Sequence, residues 1–392
     1  MKVAFYSNFL NHHQLPLCLA LVDNEQVEFS FVACEMIPED RLQMGYIDMN
    51  SAYPFVVRAY EDAEKAKMIA REYDVVIFGA SSTSYLKERM ALNRLSFRFC
   101  ERPLKKGIWR RFIPRTAKKI KEGFTAYKNE ELYVLCASAY TSGDLALCGF
   151  NRNKCFRWGY FPSVCEKNID ELFKKKNGNT CTEILYAGRL LKLKRVMDTI
   201  KAVEKIYREG IPVHFTIIGD GEEKSNIIDY IQKNKLDVCI TLLPFMSPEE
   251  VRERMDGADI FVLCSNFYEG WGAVLNEAMN SVCAVLVSHA VGSAPYLIQD
   301  GQNGYIYEMG NIPQLTDRLR ELVQNGEKRK QFGIAAYHTL TEEWNSATAA
   351  DRLLRLTEAI RAGEDYSALF ATGPCSMAPL YRNQWINEVH HS

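Results

Sequence analysis

Short apolar runs recur along this chain, separated by longer amphipathic stretches, and this alternation constrains the fold more than any other feature. "KVAFYS", "FSFVAC", "DVVIFGAS" and "LYVLCAS" read as buried strands in the first half. "EILYAGR", "HFTIIGDG", "ITLLPF", "DIFVLCS" and "AVLVSHA" do the same in the second. Between them lie helical patterns such as "KRVMDTIKAVEKIYREG" and "SPEEVRERMDGA". Strands that are apolar on both faces belong in a sheet covered on both sides, and strand–helix–strand order supplies the crossovers that parallel strands need. The expected fold class is α/β, with doubly wound parallel sheets.

A chain of 392 residues favours more than one core. The rhythm breaks near "GYFPSVCEKNIDELFKKKNGNTC", where Pro162, a lysine run and an Asn-Gly-Asn turn separate two sets of strands. The division expected is a first domain over 1–165, a linker over 166–180 and a second domain over 181–345. A C-terminal helix and tail over 346–392 is expected to pack back toward the first domain. The formal net charge of -1 gives no pointer to nucleic acid. The 12 cysteines are scattered through apolar runs without a CxxC pair, as expected of buried free thiols in a reducing cytosol. "MKVAFYSNFLNHHQ" lacks the pattern of a signal peptide, and no run approaches the roughly 18 apolar residues of a membrane span. The expectation is a cytoplasmic protein, soluble or peripheral on the inner face of the cell membrane.

The stretch "FYEGWGAVLNEAM" carries the first chemistry. It follows the strand "DIFVLC", so Glu269 lies at a strand's carboxyl end, where open α/β sheets bind ligands. Gly270 and Gly272 permit a sharp turn around Trp271, and the helix start beyond them can hold a phosphate. Carboxylates accept paired hydrogen bonds from neighbouring hydroxyls, so Glu269 suits a sugar and Glu277 a ribose. A cap acid and a solvated helix face explain the same two residues equally well from this stretch alone. "YAGRLLKLKRV" then places Arg189 and Lys194 after another strand, the cations a diphosphate needs when no metal neutralises it. "IIGDGEE" adds Gly219 at a third strand end, and "LLPFMSPEE" puts Phe245 at a fourth, lining a base pocket or belonging to the core. No DxD pair and no zinc spacing occur, so no metal and no cofactor is expected.

Taken in order, "YAGRLLKLKR", "FTIIGDGEE", "LLPFMSPEEVRERMDGADIFVLCS", "YEGWGAVLNEAM" and "VGSAPYLIQDGQNGYIY" resemble the retaining GT-B glycosyltransferases, family 4 in particular. The resemblance covers residues 184–307 and includes the paired glutamates. It implies a GT-B fold, two Rossmann-like domains facing a central cleft, and a nucleotide-sugar donor, UDP- or GDP-linked. By the same resemblance Arg189 and Lys194 bind the donor diphosphate, Glu269 the sugar and Glu277 the ribose, assisted by amides around Gly270, Trp271 and Gly272. Trp271 stands where the family usually has phenylalanine, and Pro244 where it usually has glycine. Family mechanism implies front-face attack without an enzymic nucleophile, so Glu269 is assigned to positioning.

The first half is expected to bring the acceptor. Its first loop, "SNFLNHHQLP", has no glycine, and Asn11, His12 and His13 fill the position. An imidazole there can donate to a phosphate or act as a base, or simply cap the helix. Glu101 and Arg102 follow the strand end "SFRFC" as candidates for acceptor or sugar contact, with a structural ion pair as the equal alternative. "LKKGIWRRFIPRTAKKIKEGF" carries Lys105, Lys106, Arg110 and Arg111 among its many cations. Leu104, Ile108 and Phe112 recur there at helical spacing beside Trp109. A basic amphipathic helix of this kind suits an anionic membrane surface, and a solvated basic face is its rival. The resemblance implies a glycan or lipid-linked acceptor in cell-surface polysaccharide assembly. The alternatives to a transferase are a GT-B nucleotide-sugar epimerase and a non-catalytic sugar-nucleotide-binding protein.

Overall fold

The computed structural model describes residues 1–39, 47–178 and 180–386. The chain divides into two compact units, Met1–Ser163 with Asn345–Arg382, and Val164–Trp344 with the segment that begins at Asn383. The first unit holds β1 (Lys2–Ser7), β2 (Glu28–Ala33), β3 (Val56–Arg58), β4 (Val75–Phe78), β5 (Ser96–Cys100), β6 (Leu132–Cys136) and β7 (Cys155–Arg157). They form one sheet in the order β3-β2-β1-β4-β5-β6-β7, with every pairing parallel. The second unit holds β8 (Thr182–Ala187), β9 (Val213–Ile218), β10 (Ile240–Leu243), β11 (Ile260–Leu263), β12 (Ala284–Ser288) and β13 (Tyr305–Tyr307). Their order is β10-β9-β8-β11-β12-β13, again all parallel. Each unit is thus a doubly wound, Rossmann-like sheet. In each, the chain reverses its direction of progress across the sheet beside its first strand, between β1 and β4 and between β8 and β11. Ligands bind outside the strand carboxyl ends at such switch points.

The apolar runs read from sequence are the central strands, and they are buried on both faces: β4, β6, β11 and β12 have no exposed residue. The strands that sequence did not deliver are the short ones at sheet margins, β3, β7 and β13, each of three residues. Strand β7 would be an open edge, but the C-terminal tail covers it. Arg157 N donates to Ser376 O at 2.7 Å, and Ala378 N to Cys155 O at 2.9 Å, which removes a template for unwanted pairing. The helix Ser346–Ala362 packs on the helix Leu15–Val22 within the same unit.

Residues 166–180, read above as linker, contain the helix Ile169–Lys176. Its Leu172 packs with Val282 and Tyr337 in the second unit. Lys176 is not solvated: its ammonium is buried and donates to Ala258 O (2.6 Å), Ser281 O (3.0 Å) and Val282 O (3.1 Å). The lysine run reads as a linker in sequence, yet one of its ammonium groups is buried against carbonyls at the ends of other elements.

The basic segment of the first unit departs from the expected continuous amphipathic helix. Leu104 is buried in a turn, Ile108–Phe112 is a single 3-10 stretch, and the α-helix begins only at Pro114. Gly107, at φ +121°, breaks the chain before it, and Pro114 drives Ile113 to an extended conformation. Ile108, Trp109 and Phe112 are all exposed, Phe112 by 74%. Among the described residues, no helix is long and apolar enough to cross a membrane.

Candidate functional site

The switch point of the second unit lies between β8 and β11, and the loops that follow these strands carry the expected donor residues. Asn266 N donates to Leu193 O at 2.8 Å, and the Cys264 thiol lies 3.1 Å from Lys194 O, so the two loops are bound to each other. Lys194 ends a 3-10 turn, and Arg195 after it takes a left-handed conformation at φ +50°. This geometry brings the Lys194 ammonium onto Oε2 of Glu269, 75 residues later. Ser265 Oγ donates to the same oxygen at 2.9 Å, and both members of the ion pair are only 14% exposed. The carboxylate therefore stands fixed, with its second oxygen free of both bonds. Sequence alone did not single out Ser265, although its place two residues after β11 was a usable signal.

The β9 loop is tied to the same assembly. Gly188 N donates to Ile218 O at 3.0 Å, Leu190 N to Asp220 O at 2.7 Å and Glu223 N to Leu190 O at 2.9 Å. Gly219 has φ +149°, and a Cβ on it would stand 2.0 Å from Gly188 O. Glycine is required there by the close approach of two strand ends. The Arg189 side chain is exposed and has no ion-pair partner among the described residues, while its carbonyl accepts from Tyr186 OH at 3.1 Å. It is an exposed guanidinium on the loop that carries Lys194.

The Gly270–Gly272 turn is held from below. Trp271 is buried, with its Nε1 donating to Asn276 Oδ1 at 2.9 Å and its ring beside Trp344 and Tyr296. Its side chain anchors the turn, so only its backbone is available to a ligand. Gly272 has φ +84°, and a Cβ there would meet Val291 and Leu263 at 3.0 and 3.1 Å. Glu277 lies on the helix Val274–Asn280. Burial raises its pKa, opposed by Arg252, whose Nη1 lies 4.0 Å away, and reinforced by Glu249. Phe245 is 59% exposed, which places it outside the core. The His289 ring, at the end of β12, accepts from Met309 N at Nδ1 (2.9 Å) and faces Asn383 O from Nε2 (3.0 Å), and burial lowers its pKa.

In the first unit the switch point lies between β1 and β4, and a cavity of about 790 Å³ opens there. Asn11, Glu101, Lys105, Lys106 and Arg110 line it. His12 and His13 are half-buried beside it, their ring centroids 3.9 Å apart, and His13 lies 6.2 Å from the Tyr160 ring. Glu101 is held by Tyr160 OH at 3.3 Å and Lys105 at 3.5 Å. Arg102 lines the cavity too, and takes the alternative of a structural ion pair. It is buried and bidentate on Asp144, at 3.0 and 3.1 Å, and this carboxylate also accepts from Leu104 N. The guanidinium locks the loop after β5 rather than reaching outward. Arg111 donates to Leu147 O at 3.2 Å, away from the cavity lining.

Residues 168–339 match the family Glycosyl transferases group 1. The chain is 28% identical over 176 residues to N-acetyl-alpha-D-glucosaminyl L-malate synthase of Bacillus anthracis, covering 44% of this chain and 45% of that protein. It is 26% identical over 172 residues to poly(ribitol-phosphate) alpha-N-acetylglucosaminyltransferase of Staphylococcus aureus, covering 44% of this chain and 34% of that one. The chain thus spans less than half the length of these curated relatives. Among solved structures, HepE of Anabaena in complex with UDP superposes with a TM-score of 0.68 at 15% identity, over 92% of this chain and 100% of that one. This likeness fixes the fold as GT-B.

Proposed function

We propose that the protein is a glycosyltransferase that moves a sugar from a nucleotide-diphosphate-sugar to an acceptor hydroxyl. The observation that carries this reading is the Lys194–Glu269 pair at the switch point of β8 and β11, inside the segment matched by the glycosyltransferase family. Glu269, oriented by Lys194 and Ser265, accepts hydrogen bonds from the donor sugar's hydroxyls through its remaining lone pairs. Arg189, Lys194 and the amides of the Gly270–Gly272 turn meet the charge that develops on the departing diphosphate, in place of a metal. Glu277, ionised, takes the ribose hydroxyls. Phe245 offers an exposed ring to the base. No side chain of the donor site is assigned as a nucleophile, in keeping with transfer that retains the anomeric configuration.

Relatives whose printed names include an α-N-acetylglucosaminyltransferase of poly(ribitol-phosphate) favour a cell-surface glycan or lipid-linked acceptor. The exposed Trp109 and Phe112, flanked by Arg110 and Arg111, favour work at an anionic membrane surface, on its cytoplasmic side. The first test is a thermal-shift screen of UDP- and GDP-sugars, since a ligand of the native state raises the melting temperature. Turnover with an acceptor follows, with product anomers read by NMR. Full transfer by Glu269→Gln would remove the positioning role. Isomerised sugar from donor alone would replace the transferase with an epimerase.

A further inference from the structure

The cavity of the first unit has an electrostatic character that a neutral sugar does not call for. Seven cations line it, Arg98, Arg102, Lys105, Lys106, Arg110, Arg115 and Lys119, against one acid, Glu101. Lys105 is paired with Glu101 at 3.5 Å and Arg102 with Asp144 at 3.0 Å; the other five have no carboxylate partner among the described residues. Arg98 is half-buried. It projects from β5, an otherwise apolar strand, and donates from Nη1 to Gly79 O at 3.2 Å. Its Nε is buried and has no hydrogen-bond partner. A guanidinium taken out of water beside uncharged carbonyls is costly unless an anion joins it. Arg115 and Lys119 stand one turn apart on the helix Pro114–Gly123, so both ends can reach one ligand.

Like charges gathered around one cavity repel. Hydroxyl groups would be better met by carboxylates and amides, as at Glu269 in the other unit. A planar fork and several ammonium groups around one space match the oxygens of a phosphate or diphosphate. We propose that this cavity binds a phosphate or diphosphate ester carried by the acceptor, a reading that rests on the glycosyl transfer set out above. The exposed Ile108, Trp109 and Phe112 flank Arg110 at the cavity's edge, so the ester belongs either to a lipid headgroup or to a free soluble phosphoester.

The test uses the full chain carrying Arg189→Gln and Lys194→Gln, which removes the phosphate-seeking cations of the other unit. Inorganic pyrophosphate titrated calorimetrically into this protein binds, and adding Arg115→Gln with Lys119→Gln weakens it at least about tenfold. Both of these side chains are exposed, so the fold survives their replacement. In a background with Arg189 and Lys194 intact, the same pair raises the acceptor KM and leaves the donor KM unchanged. Competition by phosphatidylcholine vesicles that contain phosphatidic acid, abolished by Trp109→Ala with Phe112→Ala, assigns the ester to a lipid; its absence assigns a soluble phosphoester, and the site stands either way. No pyrophosphate binding in the first protein, or an unchanged Kd after Arg115→Gln with Lys119→Gln, overturns the proposal. Intact pyrophosphate binding with no sugar transfer from any donor would instead overturn the transferase reading alone.

Discussion

Breaking the Lys194–Glu269 pair tests whether the donor site is built before the donor arrives. Two unit charges about 4 Å apart attract by about 4 kcal/mol at an effective dielectric constant near 20. Both side chains keep 14% exposure, and solvent reaching them halves this to a coupling of about 2 kcal/mol, within the range for residues in contact. The perturbation is a double-mutant cycle of Lys194→Met, Glu269→Gln and the two combined. Each single change leaves a charge or a buried acceptor without its partner, and the second change relieves part of that cost. The double variant is therefore less destabilised than the sum of the singles by about 2 kcal/mol. For a unit of this size that is a deficit of about 4–8 °C in melting temperature, measured by calorimetry without ligand. Sugar transfer is lost in all three, because either change removes a group assigned to the donor. Additive destabilisation, within about 0.5 kcal/mol, would show that the pair does not hold the two loops together and would refute a preassembled site.

Three further outcomes check other parts of the account. Trp271→Phe leaves Asn276 Oδ1 buried without its 2.9 Å donor, costing about 1–3 kcal/mol in denaturant unfolding and loosening the glycine turn, so that donor KM rises. Glu277, whose pKa burial raises, regains its proton above the ordinary carboxylate range as pH falls. Donor affinity therefore drops as pH falls through a range above that of an ordinary carboxylate, and Glu277→Gln binds more weakly but without that slope. Because the folded pKa is the higher one, ionising Glu277 also lowers stability as pH rises through the interval above the unfolded value near 4.3, a slope that Glu277→Gln removes. Lys176→Met strips the donor from three carbonyls at 2.6 to 3.1 Å and destabilises the second unit by about 2–4 kcal/mol, read from its melting temperature.

The central strands were legible in the sequence because burial on both faces forces continuous apolar runs, whatever packs against them. For the same reason the parallel arrangement and the positions of the strand-end loops could be read directly, and with them the placement of Arg189, Lys194 and Glu269 after strand ends. The edge strands β3, β7 and β13 were not legible, since three residues carry too little periodicity and their pairing is decided by neighbours far along the chain. The basic segment misled in a related way: Leu104, Ile108 and Phe112 keep a helical interval, yet Gly107 and Pro114 act on backbone angles that an apolar pattern does not register.

Which side chains meet was beyond the sequence. Nothing in "YAGRLLKLKR" says that Lys194, rather than Lys192, lands on Glu269; the left-handed Arg195 and the sheet order decide it. Arg102 and Arg98 sit four residues apart around one strand end, yet one is neutralised by Asp144 while the other faces a cavity whose acid, Glu101, is paired with Lys105. The sequence determined which elements exist, because each element's burial is a local property of its residues. The tertiary structure alone decided which charges are compensated, because a partner 42 or 75 residues away is brought within hydrogen-bond reach only by the order of strands in the sheet.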